Sequence, residues 1–265
     1  MTRQRAQTRI TADQPIIEQI IAIKVDHPLW GYRRVWSYLR YRQNVIVGKN
    51  RIHRLMKEAK LLISKQSRLL AKRKPIRPKP QADRPNQFWG TDMTKIKLGV
   101  FGWIYLHVVL DWFTKEIIGY SVSFQSKTND WLDALNMAVN NRFPEGIHAK
   151  ERSLFLISDN GCQPTSENYM KNCSILGIKQ IFTTWNNPKG NADTERVMRT
   201  IKEDLVWPHD WDCPFAFQDA FIRWAHDYNT DFPHQSLRYK TPAQMMDYFQ
   251  REEASKTANY SLSFA

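Results

Sequence analysis

The stretch Lys72-Arg73-Lys74-Pro75-Ile76-Arg77-Pro78-Lys79-Pro80 fits neither a helix nor a sheet. Each proline lacks a backbone N–H, fixes its own φ and drives the residue before it out of the helical region. The cations between them repel one another. The composition predicts an extended polycationic linker over Ser64–Arg84 and hence a chain of 265 residues built as two bodies. The charge divides at the same place. Residues 1–84 hold 21 Lys/Arg against five acids, a net of +16, whereas the whole chain carries +13, so residues 85–265 are slightly acidic at −3. A strongly basic arm on a near-neutral body points to a polyanion as partner.

Several classes fall away. With 42% hydrophobic and 12% aromatic residues, the chain has ample material for a packed core. No apolar run approaches the roughly 18 residues of a membrane span, and the polar start Met1-Thr2-Arg3-Gln4-Arg5 carries no apolar signal core. Cys162, Cys173 and Cys213 form no C-x-x-C pair. The expectation is a soluble, cytoplasmic protein with no membrane partner and no cysteine-built zinc site.

Residues 1–63 read as three helices. The first takes Asp13 as N-cap and Pro15 just inside its start, carries apolar Ile16, Ile17, Ile20, Ile21 and Ile23, and stops at His27-Pro28. The second runs from Tyr32 to Arg42 over Val35, Trp36 and Leu39. The third runs from Lys49 to Leu62, with Ile52, Leu55, Met56 and Ala59 on one side and Arg51, Arg54, Lys57 and Lys60 on the other. Short helices with a basic outer face predict a helix-turn-helix-like DNA-binding unit in which Arg51 and Arg54 face DNA. In the linker, Lys72, Arg73 and Lys74 are placed to track a phosphate backbone.

From Gln87 the pattern turns to strands. Gln87–Leu98 and Trp103–Trp112 pair about a turn at Gly99–Gly102, and Glu116–Phe124 adds a third strand. A helix at Asn129–Arg142, a strand at Leu154–Ser158, a helix at Ser166–Leu176, a strand at Lys179–Trp185 and helices at Ala192–Leu205 and Phe215–Asn229 follow. The order predicts an α/β fold, a five-stranded mixed sheet with flanking helices.

Three acids stand out by context. Asp92 lies inside the first strand, Asp159 ends an apolar strand, and Glu195 opens a helix after a Pro/Gly/Asn-rich loop. Strand ends in α/β sheets are where ligand groups collect. Three converging carboxylates repel one another unless a cation is bound, and all-oxygen ligation favours Mg²⁺ or Mn²⁺. Two such ions suit in-line phosphoryl transfer.

The stretches Trp89-Gly90-Thr91-Asp92-Met93-Thr94, Ser158-Asp159-Asn160-Gly161 and Gly190-Asn191-Ala192-Asp193-Thr194-Glu195 carry a resemblance, with 35 residues between Asp159 and Glu195. The chain resembles the insertion-sequence transposases related to retroviral integrases, whose signature is D,D-35-E. His27-Pro28-Leu29-Trp30-Gly31-Tyr32 and Tyr228-Asn229 through Leu237 also fit, although Phe232 stands where that family carries arginine, which implies one lost DNA contact. The resemblance implies an RNase H-like integrase core over 85–243, after a helical unit at 1–63 and a linker at 64–84, with a tail at 244–265. It implies Asp92, Asp159 and Glu195 as catalytic metal ligands for two Mg²⁺ or Mn²⁺ ions, and Lys202 as a phosphate contact, with Arg199 and Lys189 beside it. The implied activity is DNA 3′-end cleavage and strand transfer during transposition, by a homo-oligomer on element ends and target DNA at the bacterial nucleoid. The implied partner is the upstream-frame (OrfA-type) DNA-binding product, or a fusion with it, because this second-frame (OrfB-type) chain has no heptad run. Two other readings stay open: a ribonuclease-type hydrolase, and a catalytically silent DNA-binding regulator from a decayed element.

Overall fold

The computed structural model describes residues 2–63, 80–147, 153–183 and 190–262, in two compact units. The first contains α1 (Thr2–Asp26), α2 (Tyr32–Tyr41) and α3 (Lys49–Glu58), together with a distant segment, Asp231–Lys240. Ile20, Ile23, Val35, Leu39, Ile52, Leu55 and Met56 are buried between these helices, as the 3.6-residue spacing requires. The Trp36 indole N–H donates to the Val47 carbonyl at 2.9 Å and fixes the turn before α3.

Two helix ends differ from expectation. Asp13 does not cap α1, which runs through it with Pro15 in its interior. The Asp13 carboxylate reaches across to α3, where it accepts from Arg51 at 2.7 Å and Arg54 at 2.6 Å, so it is unavailable to its own backbone. α3 ends before Leu62. Lys60 adopts a left-handed φ of 57°, and the Leu61 N–H turns back to the Met56 carbonyl at 2.8 Å. This is a glycine-type helix stop made by a lysine, and it leaves Ala59 exposed instead of lining the core.

The segment Asp231–Lys240 supplies an aromatic wall to this unit. Trp30 is fully buried, with His27 stacked on it at 3.8 Å and Phe232 edge-on at 5.1 Å. Tyr239 stacks on Tyr41 at 5.7 Å, and Arg42 donates to Asp231 at 2.6 Å. Phe232 is 4% exposed, so the residue that stands here in place of arginine packs into the core of this unit.

The second unit is built on a five-stranded sheet of order β3-β2-β1-β4-β5. Its strands are β1 (Phe88–Leu98), β2 (Gly102–Asp111), β3 (Ile117–Ser123), β4 (Phe155–Ser158) and β5 (Lys179–Phe182). β1, β2 and β3 are antiparallel neighbours, while β4 and β5 run parallel to β1, so the sheet is mixed. α4 (Thr128–Arg142) lies on one face and packs Trp131, Leu135 and Ala138 over Trp89, Val109 and Ile118. Gly119 permits that approach, because a Cβ there would overlap the Ala134 carbonyl. α5 (Glu167–Ile175) is capped by Ser166, which accepts from the Tyr169 N–H. α6 (Ala192–Ile201) passes into a π-helical turn, Lys202–Val206, then α7 (Pro214–Thr230).

The Asn229 amide on α7 accepts from the Ile117 N–H at 3.0 Å and donates to the Ile117 carbonyl at 2.9 Å. It thereby satisfies the outer edge of β3 at its first residue. Residues expected to form a tail instead form α8 (Pro242–Leu262). The end of the expected fifth strand, including Trp185, lies outside the described residues. Among the described residues no helix is long and apolar enough to cross a membrane.

Candidate active site

β4 pairs in parallel with β1 through Phe88–Gly90, with Ile157 beside Gly90. Two residues further along both strands stand Asp159 and Asp92, so the register brings these acids to adjacent positions. The Asp92 carboxylate accepts from the Met93 N–H at 2.8 Å. Asp159 is exposed at the end of β4, where its carboxylate accepts from the Gly161 N–H at 3.0 Å. Asn160 donates to the Thr183 carbonyl at 2.6 Å and ties this turn to the strand beside it.

Glu195 is carried by an anchored helix start. Asn191 donates to the Thr91 carbonyl at 3.2 Å, Lys115 pairs with Asp193 at 2.8 Å, and the buried Trp112 indole donates to the Thr194 hydroxyl at 3.1 Å. These bonds seat the first turn of α6 on β1 and on the turn after β2, and Glu195 is the next residue. Gly90 is part of the device, since a Cβ there would overlap both the Thr194 hydroxyl and the Trp112 indole nitrogen. The glycine of the Trp89-Gly90-Thr91-Asp92 motif is thus required by packing under the helix that carries Glu195.

The electrostatics tie these groups together. Burial pushes the Asp92 carboxyl up to about 6, against the pull of the Met93 N–H. The charges of Asp159 and Glu195 raise it further, and Lys202 opposes them. Asp159, Glu195 and Lys202 therefore lie within electrostatic reach of Asp92. Among the described residues, no three His, Cys, Asp or Glu side chains stand close enough to hold an ion as placed. Asp92 and Asp159 each spend an oxygen on a backbone N–H instead.

The other expected contact residues fall elsewhere. Arg199 is exposed and donates to Glu203 at 2.6 Å. Arg51 and Arg54 are joined to Asp13, and Arg54 also to Glu58, so both are engaged inside the helical unit. Lys189, Lys72, Arg73 and Lys74 lie outside the described residues. His107 is a fully buried core residue held between the Ser121 and Ser126 hydroxyls at 3.0 and 3.1 Å. Trp112, Lys115 and Thr194 escaped sequence reasoning. Thr194 stands directly before Glu195 in the motif, but nothing local marks Trp112 as its partner.

The integrase core domain matches residues 82–188, a second integrase core description matches 176–242, and an HTH-like domain matches 11–68. The transposase for insertion sequence element IS629 of Shigella sonnei is 27% identical over 229 residues, 83% of this chain and 74% of that protein. The transposase InsD of the Escherichia coli IS2 elements is 23% identical over 250 residues, 90% of this chain and 80% of its own length. In fold, a chain of the simian T-cell lymphotropic virus intasome, solved with PP2A regulatory subunit B56 gamma, superposes with a TM-score of 0.50. It is 18% identical and aligns over 79% of this chain and 73% of its own. With integrase core matches along the sheet unit and an HTH-like domain ahead of them, the chain belongs to the insertion-sequence transposases built on an RNase H-like integrase core.

Proposed function

We propose that this chain is a DNA transposase that hydrolyses the phosphodiester at the 3′ ends of its element and then joins the freed 3′-OH to a target strand. The observation that carries this reading is the parallel β1–β4 register that sets Asp92 and Asp159 at adjacent positions, beside the anchored start of α6 that carries Glu195. The charges of Asp159 and Glu195 add to the rise of the buried Asp92 carboxyl, with Lys202 opposing them. A cluster of carboxylates with excess negative charge and oxygen-only donors suits a hard divalent cation. Asp92, Asp159 and Glu195 are the residues that would hold Mg²⁺ or Mn²⁺, two ions in the two-metal arrangement. Such ions supply activation of the attacking hydroxyl and stabilisation of the departing oxygen.

The chain's own groups do the rest. Glu195, fixed by the Thr194 and Asp193 anchors, orients the attacking water and later the 3′-OH. Lys202 neutralises a phosphate next to the reacting bond. Each step forms one P–O bond and breaks another, so no energy source is needed. The helical unit supplies DNA binding, and the protein works as a homo-oligomer on paired ends in the cytoplasm, with the upstream-frame product contributing end recognition.

The test is a strand-transfer assay with labelled, pre-cleaved element-end DNA and Mg²⁺ or Mn²⁺, using the chain alone and fused to the upstream-frame product. Joined product that disappears with Glu195→Gln is expected. DNA binding without joining in either form would make the chain a DNA-binding regulator instead.

A further inference from the structure

The β1–β2 ribbon continues beyond the candidate site. β4 pairs with β1 only as far as Gly90, whereas β1 and β2 stay paired to Leu98 and Gly102. On this outer half, Lys95 stands opposite Tyr105 and Lys97 opposite Trp103. Side chains alternate across a strand, so all four share one face, on which Met93 and His107 are the next pair inward. The Lys95 ammonium lies 4.8 Å from the centre of the Trp103 ring. Lys95 and Lys97 are exposed, Trp103 is 45% exposed, and Phe101 at the turn is 54% exposed. β3 adds Ser123 beside Tyr105. On this outer half the face carries no acid from β1 or β2; Asp111, opposite Trp89, is the nearest on the same face. Asp212 stands at the turn, against Gly99, whose N–H donates to the Trp211 carbonyl at 3.0 Å.

We propose that this face is a second DNA-contact surface, which grips an unstacked single-stranded segment next to the reacting bond. The proposal rests on the reading of the chain as a DNA-acting protein. Each cross-strand pair offers a cation for a phosphate and a ring for a base, the combination by which proteins hold single strands. Successive pairs are about 7 Å apart, roughly twice the 3.4 Å rise of a stacked strand, so they fit nucleotides drawn out of the stack. Lys95 is three residues, about 10 Å, from Asp92 on the same strand. Asp92 points to the opposite face, so DNA touching both must pass around the edge of β1 that no described strand covers. Two lysines among four residues suit a protein interface core poorly, because lysine is depleted there.

The test uses the full chain carrying Lys95→Ala/Lys97→Ala, Trp103→Ala or Trp103→Phe, with binding to single-stranded and gapped DNA followed by anisotropy over a salt series. The double variant is expected to flatten the slope of log K against log salt by about 1.4, the loss of two single-strand phosphate contacts. Trp103→Ala weakens single-strand binding about fivefold or more, while Trp103→Phe retains most of it. DNA bearing 5-iododeoxyuridine beside the gap cross-links to Trp103 or Tyr105. An unchanged slope with cross-links elsewhere overturns the proposal. An unchanged slope with a dimer that dissociates in the variants overturns it too, and gives the face to self-association. These binding effects persist in Glu195→Gln, so failure of the surface and failure of the catalytic reading are separately visible.

Discussion

Asp13 in the helical unit and Asp92 in the sheet unit are both acids drawn out of solvent, and the chain treats them oppositely. Burial works to raise Asp13, but hydrogen bonds and charge from Arg54 and Arg51 outweigh it and hold its carboxyl below the ordinary value. At Asp92 burial also raises the carboxyl, and its acidic neighbours add to the rise. The helical unit thus neutralises its acid within the fold, while the sheet unit leaves a surplus of negative charge for something outside the chain to meet. A buried carboxylate with two arginines is a structural joint; one with two further carboxylates stores repulsion at a place where a cation or a phosphate-bound ion can relieve it.

The largest expected effect is at the sheet site. Asp92→Asn removes all detectable strand transfer yet raises the melting temperature at pH 7, because it deletes a charge the fold disfavours. Divalent cation stabilises the wild type in the same melts and leaves the variant unchanged. A variant that melts lower than wild type in the absence of metal breaks the comparison.

Next comes Phe232→Ala, which strips the edge from Trp30 and is expected to destabilise the helical unit by about 3–5 kcal/mol. Hydrogen exchange should report it in α1 and α2 while the sheet amides keep their protection.

Acid sharpens the contrast further. Burial pushes His107 down to about 4, so the unfolded chain takes up its proton first and stability falls as pH drops from about 6.5 to 4, by roughly 3 kcal/mol at the limit. Asp92 works the other way, since its raised carboxyl costs stability as pH rises from about 4 to 6. Wild-type stability is therefore expected to be flatter between pH 4 and 6 than that of Asp92→Asn, in which His107 acts unopposed. Denaturant melts at half-unit pH steps decide this.

A smaller loss, about 1.5–3 kcal/mol, is expected for Asp13→Asn, which leaves Arg51 and Arg54 without their shared counter-charge. That stability is present above the ordinary carboxylate pKa and disappears as pH falls through the lowered one, so wild type and variant converge in strong acid.

The sheet and its helices were legible because alternation and short apolar runs are local signals, and the mixed order followed from where helices interrupt strands. Asp92, Asp159 and Glu195 stand out by their setting within a strand, at a strand end and at a helix start, and the charges of Asp159 and Glu195 both act on the Asp92 carboxyl. α8 was legible too but went unread. Thr241 accepts from the Gln244 N–H while Gln244 accepts from the Thr241 N–H, a capping box with Pro242 at the first helical position. Other features were beyond local reading. The left-handed stop at Lys60 uses a residue with no preference for that conformation. The pairing of Arg51 and Arg54 with Asp13 joins α3 to α1, and the packing of Phe232 on Trp30 spans most of the chain. Contacts of this kind leave no periodic trace in the residues that make them.

That long-range packing has a consequence for how the protein is born. Domains usually form in the order in which they leave the ribosome, at about 5–20 residues per second. Here the helices emerge first, but the wall that covers Trp30 is encoded after all five strands. The nascent helical unit must wait, with an aromatic flank open to water and to chaperones, until the sheet has been synthesised. A ribosome that stops early releases an unfinished helical unit, so only a chain read through to Lys240 can complete it.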